Sequence, residues 1–477
     1  MKSIILLLFI TLVASQNINY YAKVNSVNGT NTGGYFSQNV SESFVWKNLQ
    51  NAINAANTVS INNSNIQITL YVSSGTFKVN TYVTNCNLSI ISESYYVVGS
   101  TNSDIIIDSG YDSFLTCENA SLTLIGLKIP NKLSDSLAIK SSNNIVIKAC
   151  TFYHNSDNKL RNNFYIGSPI NIIDTKNVEI NNCTFTNTHS GACKFANCKY
   201  THIINNYFEH SISFTNGGAI NIFDVNYPLI EKNQFHRCGA HTGGAIYINS
   251  WLSTRNIIID NIFTENSVSQ LGGAIHIQSG YGITINNNTF HNNYATLGAA
   301  ISLTSENFHA TTSFNKFTNN TAGIAGGAIY NNGLDNIIKN CQFIDNYSRN
   351  SGGAIHNGIA SNVNIERCTF FGNGATYVGG AIYSETGNII NIKSSNFDNN
   401  YAVFGGAIMA LDVYPLTIID GKISNNKAQN GSAIYLQTFR WPNNLFDLTN
   451  VNFLNQGTTP IYYQGNCTIT CIGTCPA

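Results

Sequence analysis

The chain has 477 residues, 43% of them hydrophobic and only 10% charged, with 24 Lys plus Arg against 24 Asp plus Glu and a formal net charge of zero. That balance excludes a basic surface for nucleic acid or an anionic membrane, and the apolar and aromatic content excludes a disordered chain. Few prolines, 38 glycines and an even set of 12 cysteines fit an all-β protein with many turns in an oxidising compartment.

Residues 1–15, MKSIILLLFITLVAS, carry Lys2, an apolar run from Ile4 to Val13 and small residues before Gln16. They read as a secretory signal peptide cleaved after Ser15, so a secreted protein without membrane insertion is expected. Within residues 16–60, Trp46, Leu49 and Ile53 share the face of a short helix with Ser43 as its N-cap. This helix is expected to cover the first rung of a stack of strands, because such a stack exposes its edges when left open.

From residue 208 the sequence repeats. Gly-Gly-Ala-Ile or a near copy starts at 217, 243, 272, 298, 326, 352, 379, 405 and 431. Between the copies fall Phe208, Phe235, Phe263, Phe290, Phe317, Phe343, Phe370, Phe397 and Ile423, and Asn stands three residues after each of the last seven. The units hold short alternating Ile-rich runs bounded by Gly and Asn, and lack any long stretch with helical spacing. Three short strands and three turns use about 25 residues, one rung of a parallel β-helix. The β-helix is expected over 61–455, in about 13 rungs of about 27 residues, followed by a Cys-containing tail at 456–477.

Rung geometry assigns roles. The two isoleucines of Gly-Gly-Ala-Ile-x-Ile point inward, and the glycines mark a corner. Asn206, Asn233, Asn261, Asn288 and Asn315, then Cys341 and Cys368, lie two residues before the phenylalanines and share their parity. They are expected to form an inward ladder bonded along the stacking axis. Cys341 with Cys368, Cys150 with Cys183, and Cys86 with Cys117 are read as same-column pairs one rung apart, either disulfides or stacked thiols. Loop disulfides are expected for Cys193 with Cys198 and among Cys467, Cys471 and Cys475.

The outward positions after each Gly-Gly-Ala-Ile hold one carboxylate, Glu385, and neither Lys nor Arg. Glycoside hydrolysis needs two carboxylates and lyase chemistry a base with cationic help, so no catalytic residue is assigned. His276 and His356 lie three rungs apart, roughly 14 Å at the stacking distance, too far to share a metal. Asp104, Asp108 and Asp112 are evenly spaced but need not converge in a strand-and-turn segment; no metal or cofactor is expected. Tyr247, His276, Tyr330, His356, Tyr383 and Tyr435 form a column read as solvent-facing. It is either a track that stacks on sugar rings or on a protein strand, or an aromatic ladder that stabilises the sheet. Eleven Asn-x-Ser/Thr sequons are present, about the number chance gives in so Asn-rich a chain, and would be acceptors in a glycoprotein.

The alternating GGAI and FxxN tetrapeptides resemble the repeats of the chlamydial polymorphic outer membrane proteins, within the wider class of pectin-lyase-like right-handed β-helices. The resemblance covers about residues 208–456. SFVWKNLQNAINAA at 43–56 with ITLYVSSGTFKV at 68–79 resembles the cap helix and first rung of such proteins, and SLTLIGLKI at 121–129 another early rung. It implies a single-stranded right-handed parallel β-helix, secreted or surface-displayed and often adhesive. The Asp-Asp, Gly-His-Gly and Arg-Ile-Lys signatures of pectin hydrolases are absent, as is the Arg-x-Pro-x-x-Arg of pectate lyases. The expectation is therefore a secreted, non-enzymatic scaffold that is adhesive or binds carbohydrate or a surface protein, as a monomer or by lateral self-association. The alternatives are a polysaccharide lyase or glycoside hydrolase, with its site in the loops of residues 80–200, and a structural coat component.

Overall fold

The computed structural model describes residues 18–24, 37–38, 45–46, 48–61, 66–98, 105–108, 113–131, 134–154, 167–359, 361–439, 444–456, 459–465 and 467–472. The expected signal peptide, Ser43, Asp104, Asp112 and Cys475 lie outside them. The chain divides into two units, residues 1–183 and 184–477. Each is a coil of short parallel strands, as the repeat predicts.

In the first unit Ile18–Val24 pairs in parallel with Ile66–Val72, which pairs with Asn87–Ser92, and that strand with Ser121–Ile125. Period-two burial follows: Leu88, Leu122, Ile145 and Val178 form one inward column and Ile90, Leu124, Ile147 and Ile180 the next. Helix α1 spans Leu49–Ile61 and buries Leu49, Ala52, Ile53, Ala56 and Ser60, a helical spacing that makes one apolar face. Its N-cap is Asn48, whose Oδ1 accepts from the Asn51 amide at 3.1 Å. Trp46 belongs instead to the strand Val45–Trp46, paired with Lys23 and Val24, which corrects its placement on the helix. The helix also satisfies an edge strand: Gln50 accepts from the Asn80 amide at 2.6 Å, Asn54 from the Thr81 hydroxyl at 2.6 Å and Asn57 from the Thr84 amide at 3.1 Å. Backbone donors that would template further pairing are thereby occupied.

The second unit shows the repeat directly. A representative rung runs Ile257–Ile259 in sheet A, Ile262–Thr264 in sheet B, Ser267–Leu271 in a short sheet D and Ile275–Tyr281 in sheet C. Register holds without slip in B from Phe208 to Ile423. The phenylalanines from Phe185 to Phe397 stack at centroid spacings of 4.6 to 4.9 Å, within 7° of parallel. The predicted Asn ladder is present, each Nδ2 donating to the next rung's Oδ1 at 3.0 Å from Asn206 to Asn315. A second ladder runs from Asn266 through Asn293, Asn320, Asn346, Asn373 and Asn400 to Asn426 at 2.9 to 3.0 Å. Corners use left-handed residues whose short side chains tolerate that region, such as Asn287, Asn292 and Asn319 with φ of 53 to 54°. The first glycine of all nine GGAI copies has φ between 62 and 67°, and a Cβ on Gly405 would stand 2.3 Å from the Ile408 carbonyl oxygen. Ala299 and Ser432 replace the second glycine in two rungs, so the strict requirement falls on the first.

The cysteine expectations need correction. Cys86, Cys117, Cys150, Cys183, Cys193, Cys198, Cys238, Cys341 and Cys368 are buried thiols outside any disulfide. Cys193 and Cys198 therefore form no loop disulfide. Cys117 aligns with Val83 and Ile139 in sheet C, whereas Cys86 precedes a strand of sheet A, so the two share no column. Cys341 and Cys368 take over the Asn column as donors: their thiols reach the carbonyls of Lys339 and Glu366 at 3.3 Å, as Asn261 Nδ2 reaches that of Ile259 at 2.9 Å. In the tail, Cys471 is disulfide-bonded.

Candidate functional site

Sheet C positions the predicted column. Ile246, Ile275, Ile301, Ile329, Ile355, Ile382, Ile408 and Ile434 align inward. Tyr247, His276, Ser302, Tyr330, His356, Tyr383, Met409 and Tyr435 alternate with them on the opposite side. They do not face solvent. His276 is 1% exposed, His356 5% and Tyr383 9%, with Tyr330 half-buried, so the reading of an open track is corrected. The cover comes from the residue that precedes each Gly-Gly, five positions earlier. Val378 and Phe404 pack on the cluster of Tyr383, Met409 and Tyr435, and the Ser351 hydroxyl lies 2.9 Å from His356 Nδ1. The tight Gly-Gly corner folds that residue back over the sheet.

Burial sets the chemistry of these groups. Desolvation pushes the His276 imidazole down to about 4. It raises the Tyr383 phenol to about 12, with a further contribution from the Glu385 carboxylate, and raises Tyr330 for the same two reasons. His356 is held on four sides. The rings of Tyr330 and Tyr383 lie 5.0 Å away on either side, Ser351 meets Nδ1, and Glu385 Oε1 lies 3.5 Å from Nε2. The serine is buried, so this arrangement orients a histidine and does not present a nucleophile to a substrate. Glu385, one-third exposed, and the half-buried Tyr330 form its accessible margin. At the far end Tyr435 stacks on Tyr462 at 5.1 Å and donates to Gln464 at 3.0 Å.

His276 and His356 stay apart as predicted from rung counting, three in-register pairings distant. Among the described residues no group of three His, Cys, Asp or Glu could hold a metal. Asp108 ends the strand Ile105–Asp108. Sequence reasoning misses Ser351 and the His356–Glu385 contact. Their signal is the five-residue offset between the residue before Gly-Gly and the outward position, which a strand-by-strand reading treats as unrelated.

A family model for the right-handed β-helix region matches residues 156–317, and one for the Chlamydia polymorphic membrane protein repeat matches 316–332 and 367–385. No curated protein matches the chain in sequence. Similar solved structures include PfbA, a surface adhesin of Streptococcus pneumoniae, at 13% identity over 87% of this chain and 88% of that one, TM-score 0.37. The catalytic domain of a GH87 α-1,3-glucanase in complex with tetrasaccharides follows at 15% identity over 88% and 66%, TM-score 0.32. The A-module of a mannuronan C-5 epimerase of Azotobacter vinelandii aligns at 9% identity over 89% and 96%, TM-score 0.26. Among the described residues no helix is long and apolar enough to cross a membrane. The chain is a right-handed parallel β-helix that carries polymorphic membrane protein repeats.

Proposed function

We propose that this protein is a secreted, non-enzymatic scaffold that binds an extracellular ligand, carbohydrate first among the candidates. One observation carries the reading: the acid–base groups of the sheet C face are committed to internal partners. His276 is buried and neutral, His356 is enclosed by Ser351, Tyr330, Tyr383 and Glu385, and Glu385 is the one carboxylate among the two outward positions that follow each Gly-Gly-Ala-Ile. A hydrolase or lyase keeps such groups free to exchange protons with a substrate. The ligand-binding role read for Tyr247, His276, Tyr330, His356, Tyr383 and Tyr435 then narrows to the margin formed by Tyr330 and Glu385, with the others holding that margin rigid.

The test is incubation of residues 16–477 with plant and microbial polysaccharides, scoring retention and new reducing or unsaturated ends together. Retention without new ends is expected. Cleavage above a heat-killed control overturns the scaffold reading and favours the hydrolase or lyase alternative.

A further inference from the structure

Sheet D carries a pattern that the ladders do not use. Its aligned positions read Ser267, Tyr294, Thr321, Tyr347, Gly374, Tyr401 and Lys427, a tyrosine on every second rung with small residues between. The small residues make room for the rings. A Cβ on Gly374 would stand 2.1 Å from Cζ of Tyr401 and 2.5 Å from its Cε2, so the ring lies back over the glycine backbone. Gly374 has no positive φ to explain it; what it provides is space. Tyr347 leans forward onto the same rung, its hydroxyl 2.7 Å from Thr376 Oγ1. Tyr401 is nonetheless 46% exposed.

The next rungs turn this platform into a site. Tyr401 bridges to Lys427, and the corner there opens into a cavity of about 520 Å³ lined by Asn399, Asn425, Asn426, Lys427, Asn455 and Gln456. Gln456 donates to the carbonyls of Ile423 and Leu454 at 2.8 and 3.0 Å, and its Oε1 is buried without a partner. Asp398 Oδ1 accepts from the lining residue Asn425 and from Ser424 at 2.7 and 2.8 Å, which fixes the Asn425 amide. An exposed ring on one rung and, from the following rungs, a groove of amides with one cation suit an uncharged, hydroxyl-rich chain with an apolar face. It does not suit a polyanion, which needs clustered cations.

We propose that Tyr401, seated on Gly374, and the amide groove on the following rungs bind a neutral polysaccharide running along the stacking axis, with one pyranose stacked on the Tyr401 ring and the hydroxyls of later sugars of the same chain bonded to Asn425 and Asn455. The proposal rests on the scaffold reading but names a different site from the sheet C margin.

The test uses the full secreted chain against a soluble β-glucan, an α-glucan and a galactomannan, with polygalacturonate as the acidic comparison. Binding of at least one neutral polymer is expected, about tenfold weaker in Tyr401→Ala, weakened in Gly374→Val by displacement of an unaltered ring, and restored in Tyr401→Phe. The thermal midpoint of Tyr401→Ala should stay near that of the parent, because the ring is half exposed. No binding to any neutral polymer, or preference for polygalacturonate, overturns the proposal. Binding unchanged in Tyr401→Ala but lost in Glu385→Gln overturns it too, while leaving the scaffold reading in place; new reducing ends overturn that reading instead.

Discussion

Replacing Asn320 with leucine tests the ladder from the inside. Every side-chain hydrogen-bonding group of this buried residue is used. Its Nδ2 donates to the Phe290 carbonyl at 3.1 Å and to Asn346 Oδ1 at 2.9 Å, and its Oδ1 accepts from the Asn293 amide at 3.1 Å and Asn293 Nδ2 at 2.9 Å. Leucine keeps the branched outline with none of these groups, and its bulkier methyls can only add to the loss. Two donors on Asn293 would be left buried and unpaired, at about 1–3 kcal/mol each, so the loss should be about 2–6 kcal/mol. Asn320→Asp sharpens the argument, because its carboxylate would face the Phe290 carbonyl and Asn346 Oδ1, both acceptors. Its folded-state pKa must rise above the unfolded value of about 3.9, so its penalty should be small at or below that pH and grow as pH increases. The assay is urea unfolding of each variant at pH 4 and pH 7, with hydrogen exchange at the Asn293 amide to localise the effect in a solenoid whose rungs need not unfold together. Exposed Lys316→Gln serves as the control, expected within about 0.5 kcal/mol of the parent. A leucine variant within about 1 kcal/mol of the parent, or an aspartate variant with no pH dependence, would refute the reasoning.

Other outcomes come from the same geometry. Gly405→Ala, at φ +66° and 2.3 Å from a carbonyl oxygen, should lose well over the about 1–2 kcal/mol that left-handed strain alone costs; Gly387→Ala, at φ +81° with no atom within 4 Å, should lose only that strain, and equal losses would contradict the corner account. His276 has a folded pKa of about 4 against about 6.5 unfolded, so its contribution is full above about 6.5 and is lost progressively as pH falls from there towards about 4; His276→Gln should flatten the stability profile in that window alone. Cys341→Ser should stay within about 1 kcal/mol of the parent, since Ser395 already fills that column and donates to the Lys393 carbonyl at 3.0 Å. The nine buried thiols should resist a thiol reagent in the native state and react on unfolding, as burial pushes Cys238 up to about 12 and Cys86 to about 11.

Whatever repeats at fixed parity is legible in the sequence. The Gly-Gly corner, the phenylalanine stack and the Asn206–Asn315 ladder derive from a period-two strand stacked in register, because an in-register parallel coil turns a column of letters into a column of atoms. The cover over His356 and Tyr383 is not readable that way. It depends on a corner that brings Ser351 and Val378 back across the sheet, and outward parity alone cannot distinguish an open face from one covered by the same chain. Trp46 has a spacing from Leu49 that suits a helix, yet Asn48 supplies the cap that starts α1 after it. The cysteines invite an analogy with secreted disulfides, although Cys341 and Cys368 stand where an amide donor is needed. The tyrosines of sheet D are hard to see in the sequence because they recur only on alternate rungs.

The most direct test of the account is one sample of residues 16–477 with a neutral glucan, followed for bound polymer and for released reducing ends over the same hours. The account predicts saturable retention with reducing ends at the level of the heat-killed control. Reducing ends that accumulate with time and scale with protein would contradict it, and would show that this β-helix turns over the polymer it was expected only to hold.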